Sequence, residues 1–178
     1  MDAICELKRM GWPDDVIANA KVNGKPLCDC NTQKGKTDYV IDNGETVVLV
    51  VHGDPVAKPR MTRRDKWAKR SCVVKYREWC NRVRALADGN IPDAADIQRL
   101  DWIAYFEPAE SWPKKRRRDA MGQQHRQTPD RDNIDKAVLD ALFPKKQNTK
   151  TNNDSMIARG MLEKYWDWEP RIVIRIYR

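Results

Sequence analysis

The sequence predicts a single α+β domain: a mixed sheet of about four to five strands packed with two main helices, preceded by a helical N-terminal extension. Three observations predict it. Short segments alternate apolar and polar residues, two longer ones repeat apolar residues at helical spacing, and the order along the chain is β-β-α-β-α-β-β. The length, 178 residues without an internal repeat, suits one domain with a modest appendage.

Each element has its own signal. In residues 2–22, Ile4, Leu7 and Met10 recur at helical spacing, Gly11-Trp12-Pro13 breaks the run, and Val16, Ile17 and Ala20 start a second helical face. Asn23-Gly24-Lys25-Pro26 ends that face, and the polar residues 29–38 read as a linker, so the extension and linker cover 1–36 and the domain 37–178. Tyr39-Val40-Ile41, the turn Asp42-Asn43-Gly44 and residues 45–52 form a strand pair, because Asn-Gly supplies the positive φ angles of a tight turn. A basic loop spans 53–66. A helix over 67–86 follows, with Val73, Tyr76, Cys80, Val83 and Ala87 on one face. After Gly89-Asn90-Ile91-Pro92, residues 97–106 read as a strand through Leu100, Trp102, Ala104 and Phe106. Residues 107–129 read as a polar loop. A helix from Asp132 to Phe143 carries the stripe Ile134, Val138, Ala141 and Leu142, and Pro144 ends it. Strands over 155–166 and 172–177 close the chain.

Charge gives the first functional clue. The formal net charge is +8, and residues 51–84 alone hold eleven basic and three acidic groups. A stretch so biased reads as a polyanion-facing surface. The longest apolar run, residues 47–51, is far short of the ~20 residues of a spanning helix, and no basic-then-apolar leader opens the chain. Five cysteines, an odd and sparse set, read as reduced thiols, which fits a cytoplasmic setting. Cys28-Asp29-Cys30 has no second Cys or His pair near it, which disfavours zinc. His52 and His125 are isolated, and Trp79 and Trp102 read as core.

The chemistry concentrates in Pro129-Asp130-Arg131-Asp132-Asn133-Ile134-Asp135-Lys136, running on to Asp140. Taken singly these residues have plain structural readings. An Asp before a helix is a cap worth ~1 kcal/mol, and Asp132 with Lys136 is an i,i+4 pair worth roughly 0.2–0.5 kcal/mol. Yet one Asp suffices as a cap. Asp154 opens the next strand after a loop able to return it to the helix start. Three carboxylates ~5 Å apart would repel by ~3 kcal/mol per pair at an effective dielectric of 20, so such a cluster requires a proton or a cation. Magnesium favours carboxylate oxygen and water. If the acids converge, a metal there would polarise a phosphoryl oxygen and activate water, and Lys136 would stabilise the developing charge.

The run Asp130-x-Asp132-Asn133-x-x-Lys136-x-x-x-Asp140-Ala141-Leu142, with Asn153-Asp154-Ser155-Met156-Ile157, resembles the signature of the RusA family of Holliday junction resolvases of bacteria and their phages. Val51-His52-Gly53-Asp54-Pro55-Val56-Ala57-Lys58-Pro59-Arg60 resembles that family's early Gly-x-Pro-x-x-Lys-x-Arg segment. The resemblance, over residues 46–178, implies a homodimeric Mg²⁺- or Mn²⁺-dependent endonuclease that cuts four-way DNA junctions by paired nicks. It implies Asp130, Asp132 and Asp154 as metal-binding acids, Lys136 as the catalytic lysine, and Asn133 and Asp140 in support. Many members have two adjacent acids where this chain has Asn153 then Asp154, and Met156 stands where a Gln is familiar.

Two basic segments are candidate DNA contacts: Lys58, Arg60, Arg63, Arg64, Lys66, Lys69 and Arg70, and the run Lys114, Lys115, Arg116, Arg117 and Arg118. The alternatives to junction resolution are a noncatalytic DNA- or junction-binding module, or a nuclease acting on flaps, forks or single strands. The N-terminal extension is open to binding a protein partner, extending the DNA surface or bracing a dimer.

Overall fold

The computed structural model describes residues 38–67, 69–144 and 152–178, with residue 8 and the backbone of residues 21–22 and 25–26. Two-residue strands β1 (Lys21–Val22) and β2 (Lys25–Pro26) precede the hairpin of β3 (Tyr39–Asp42) and β4 (Thr46–His52). Helix α1 (Ser71–Ala87) leads to β5 (Arg99–Phe106), then come α2 (Lys114–Ala120), α3 (Arg131–Leu142), β6 (Leu162–Trp166) and β7 (Arg171–Tyr177). The sheet order is β2-β1-β3-β4-β7-β5-β6, antiparallel throughout except for the parallel β5–β6 edge. This is the expected α+β fold, with five strands of four residues or more and the two-residue pair at one edge.

The hairpin closes as the Asn-Gly signal predicts. Gly44 sits at φ +92°, and the Asn43 side-chain oxygen accepts from the amides of Glu45 (3.0 Å) and Thr46 (2.7 Å). α1 buries Val73, Tyr76, Trp79, Cys80, Val83 and Ala87, and α3 buries Ile134, Ala137, Val138, Ala141 and Leu142. Apart from Val73, both stripes pack with Leu49, Val51, Trp102, Ile172 and Ile174 in one core. The 3.6-residue period dictates this, because it gathers each apolar set on one side of its helix. Trp79 and Trp102 are core residues as expected, 4% and 0% exposed.

Several expectations are corrected. The polar loop over 107–129 contains α2, built from the five-cation run. Lys and Arg are good helix formers, and a helix that buries no side chain leaves no apolar period to read. Residues 155–166 are not one strand: a 3-10 turn at Asp154–Met156 comes first, and the ladder starts at Leu162. α1 starts at Ser71 and not at residue 67. Ahead of it a 3-10 turn (Arg63–Lys66) is closed by Asp65, which accepts from the Thr62 amide (2.5 Å) and from Arg70 Nε and Nη2 (both 2.7 Å). Residues 21–22, expected as the end of a second helix, pair with β3 as β1, and residues 25–26 form β2 where a turn was expected. The rest of the extension, and Cys28 and Cys30, lie outside the described residues.

Gly160 locks the 154–161 segment onto the sheet. A Cβ there would collide with the Leu100 carbonyl oxygen, while the Leu100 amide donates to Arg159 O at 3.0 Å. Gly160→Ala is therefore expected to destabilise the fold by about 1–3 kcal/mol through overpacking against backbone, read as a lower urea midpoint at unchanged m-value.

Candidate active site

Helix α3 carries the site because its buried stripe leaves the other residues facing outward in a fixed order. At 3.6 residues per turn, Asp132 and Lys136 stand opposite the stripe, and Asp135 and Asp140 fall on its two flanks. The flanks bind to the rest of the protein. Trp102 Nε1 donates to Asp135 Oδ1 at 3.0 Å from the sheet side. On the other flank Asp140 Oδ2 accepts from Tyr76 Oη at 2.6 Å and pairs with Lys58 Nζ at 2.5 Å. Burial, together with that hydrogen bond, pushes the Tyr76 phenol above its ordinary range, so it remains a donor. Asp140 thus joins both helices and the 53–60 segment.

The outward pair is exposed. Lys136 Nζ donates to Asp132 Oδ2 at 2.8 Å, and that hydrogen bond holds the Asp132 carboxyl below its usual value. Asp130 occupies the N-cap position with extended backbone, but its side chain makes no capping hydrogen bond. The plain reading of Asp130 as a cap therefore fails. It interacts electrostatically with Lys164, on β6, whose ammonium donates to the carbonyls of Gln127 and Pro129 at 2.7 Å each. Burial lowers the Lys164 pKa, and the Asp130 carboxylate opposes that shift. Lys164 so clamps the turn that delivers Asp130. The strand pattern Leu-Glu-Lys-Tyr-Trp gives no hint of that role.

Asp154 has a different setting. It opens the 3-10 turn at Asp154–Met156, where the Asn153 side chain accepts from the Ser155 amide at 3.1 Å. Asn152 Oδ1 accepts from the Ala94 amide at 3.3 Å, tying this segment to residues 93–96. Among the described residues no three His, Cys, Asp or Glu side chains form a group able to hold a metal ion. Asp130, Asp132 and Lys136 share the start of α3, and Asp154 stands in the turn that leads to β6. The donor chemistry at that start suits a hard cation: carboxylate oxygens, without nitrogen or sulfur, and Mg²⁺ needs only one or two protein carboxylates besides water.

The basic segments divide by what they touch. Lys58 reaches α3 twice, through its amide to Asn133 O at 2.8 Å and through the ion pair with Asp140. Arg70 is held by Asp65 and by the Arg60 carbonyl, so it shapes the loop. That guanidinium, by its hydrogen bond, keeps the Asp65 carboxyl well below the usual carboxylate range. Arg60, Arg63, Arg64 and Lys69 are exposed, and the Lys66 side chain lies outside the described set. Lys114, Lys115, Arg116 and Arg118 are exposed on α2, with Arg117 half-buried.

A carboxylate–lysine helix start beside a basic loop docked on the same helix has the chemistry to meet a phosphate group. The match to known families narrows that chemistry. The family model of the endodeoxyribonuclease RusA covers residues 52–177, and the chain belongs to this family, whose activity is Holliday junction resolution. Comparison with curated proteins and with solved structures gave no match.

Two predictions follow from these contacts. Asp140→Asn should weaken the Tyr76 and Lys58 contacts and cost about 1–2 kcal/mol in urea unfolding. The second concerns His125, buried between Phe106 (4.1 Å) and Trp166 (4.2 Å), where burial lowers its pKa from 6.5 to about 4. Between those values the unfolded chain binds a proton that the folded chain does not. Its stability contribution is therefore complete above pH 6.5 and declines as pH falls towards 4. His125→Phe should flatten the loss of stability measured by urea midpoints between pH 6.5 and 5.

Proposed function

We propose that this chain is a homodimeric, Mg²⁺- or Mn²⁺-dependent endonuclease that resolves four-way DNA junctions by paired nicks. The observation that carries the reading is the start of α3, where Asp130 is not engaged in capping and Asp132 is bonded to Lys136 at 2.8 Å. Asp130 and Asp132 would hold the ion, with Asp154 as the third acid that the family resemblance implies. The bound ion would supply Lewis-acid polarisation of a phosphoryl oxygen and activation of water. Lys136, oriented by Asp132, brings an ammonium to the charge that develops on the phosphorus centre. Arg60, Arg63, Arg64, Lys69 and the cations of α2 hold the DNA backbone. A symmetric dimer would present two such sites to the two opposing strands of a symmetric junction.

The second reading is a noncatalytic junction-binding module, and one observation favours it: no three acids of the described residues assemble into an ion-holding group. Nicking of a synthetic four-way junction separates the two. Asp132→Asn is expected to abolish Mg²⁺-dependent nicking, with junction affinity within about threefold of wild type, and Asp130→Asn and Asp154→Asn should do the same. Binding without any cut across a range of Mg²⁺ and Mn²⁺ selects the module. With about six cations on duplex phosphates, log affinity should fall against log salt with a slope near −5.

A further inference from the structure

We propose that α2 and Trp168 form a binding site for an unpaired DNA nucleotide, its base stacked on the Trp168 indole and its phosphates on Lys114 and Arg118. This rests on the reading that branched DNA is the ligand, and it adds what that reading lacks, a place that distinguishes open strand from duplex.

α2 is a poor helix on its own terms. It is seven residues long, places five cations in sequence and buries no side chain. Like charges three and four residues apart repel, and the Arg117–Glu107 ion pair at 3.4 Å relieves part of that repulsion. Two of the cations are held over aromatic rings. The Arg116 guanidinium lies 3.8 Å from the centre of the Trp112 ring, and Arg117 lies 5.2 Å from that of Trp168. Trp112 in turn packs against Trp166 at 5.1 Å, so this end of α2 is anchored to the core. The remaining cations, Lys114, Lys115 and Arg118, are exposed and make no ion pair among the described residues.

Trp168 is the other half of the site. Its side chain is 47% exposed in the turn between β6 and β7. That turn is held without the indole: the Asp167 amide donates to Phe106 O at 2.9 Å, and Asp167 Oδ1 accepts from the Glu169 amide at 3.2 Å. Lys114, Arg117, Arg118 and Trp168 line a groove of about 380 Å³. A half-exposed indole beside cations is an arrangement that binds single strands, because every base has a face to stack whereas a paired duplex has none to offer. The apolar lining of the groove suits a base, and the exposed Lys114 and Arg118 at its edge favour a polyanion over a neutral partner.

Lys164, which clamps the turn bearing Asp130, lies four residues before Trp168 on the same chain, at most about 13 Å away.

The test measures binding of the full chain in EDTA, where no cutting occurs. The probes are a four-way junction, an oligothymidine single strand and a fully paired duplex, with 2-aminopurine placed singly across the junction centre. Trp168→Ala is expected to weaken single-strand and junction binding about fivefold or more, with duplex affinity within twofold. It should also abolish 2-aminopurine quenching at one or two adjacent positions. Trp168→Phe should restore most of both signals, and unchanged melting temperatures would confirm folding. Lys114→Gln with Arg118→Gln should reduce the salt slope by about 1.5 on single strands. An equal loss on duplex and single strand, no loss on either, or a change in protomer association with Trp168→Ala would overturn the site. Because no cutting is measured, a protein that never nicks junctions yet shows the Trp168 effect keeps this site and loses the nuclease reading. Normal nicking without the Trp168 effect does the reverse.

Discussion

Helix α3 must bury Ile134, Ala137, Val138, Ala141 and Leu142 against the sheet and α1, and that requirement positions every acid on it. Each of these apolar side chains removes on the order of 1–3 kcal/mol of exposure cost, far more than any single surface ion pair contributes. The burial therefore determines which way the helix faces, and the polar residues take the directions left over. Asp135 and Asp140 meet Trp102 and Tyr76, so two acids become parts of the scaffold. Asp132 and Lys136 are left facing outward, beside Asp130 on its clamped turn. Rotating the helix to change any of these would expose the stripe.

The same reasoning explains why the basic loop lies where it does. The Lys58 amide bonds Asn133 and its ammonium pairs with Asp140, so the residues that continue through Arg60, Arg63 and Arg64 leave from the face of α3. Asp65 then closes the loop on Thr62 and Arg70, giving a charged segment a fixed shape. A basic surface held in this way can present phosphate contacts at little ordering cost. Along the chain α2 comes just before the turn clamped by Lys164, so both basic segments precede the acids of α3.

Much of this was legible in the residues alone. α1 and α3 declare themselves through apolar periods that the core reproduces, and Asn43-Gly44 gave the hairpin because few other residues accept that turn. The acid–lysine spacing was legible too, since i,i+4 geometry is fixed by the helix itself. What was hidden depends on partners distant in sequence. α2 has no buried side to leave a pattern. The parallel pairing of β6 with β5 begins only at Leu162, and nothing local separates residues 155–161 from the strand that follows. Lys164 acts through carbonyls 35 and 37 residues earlier, which no spacing rule reaches. The placement of Asp154 depends on Asn152 docking at Ala94, another long-range contact.

The central claim is that the start of α3 holds the divalent ion used to cut DNA. Anomalous diffraction from crystals grown with Mn²⁺ and an uncleavable four-way junction locates that ion directly. The account predicts manganese at about 2.0–2.3 Å from carboxylate oxygens of Asp130 and Asp132, with a DNA phosphate beside it. Manganese bound elsewhere, or a junction seated with both carboxylates turned away from any ion, would contradict it.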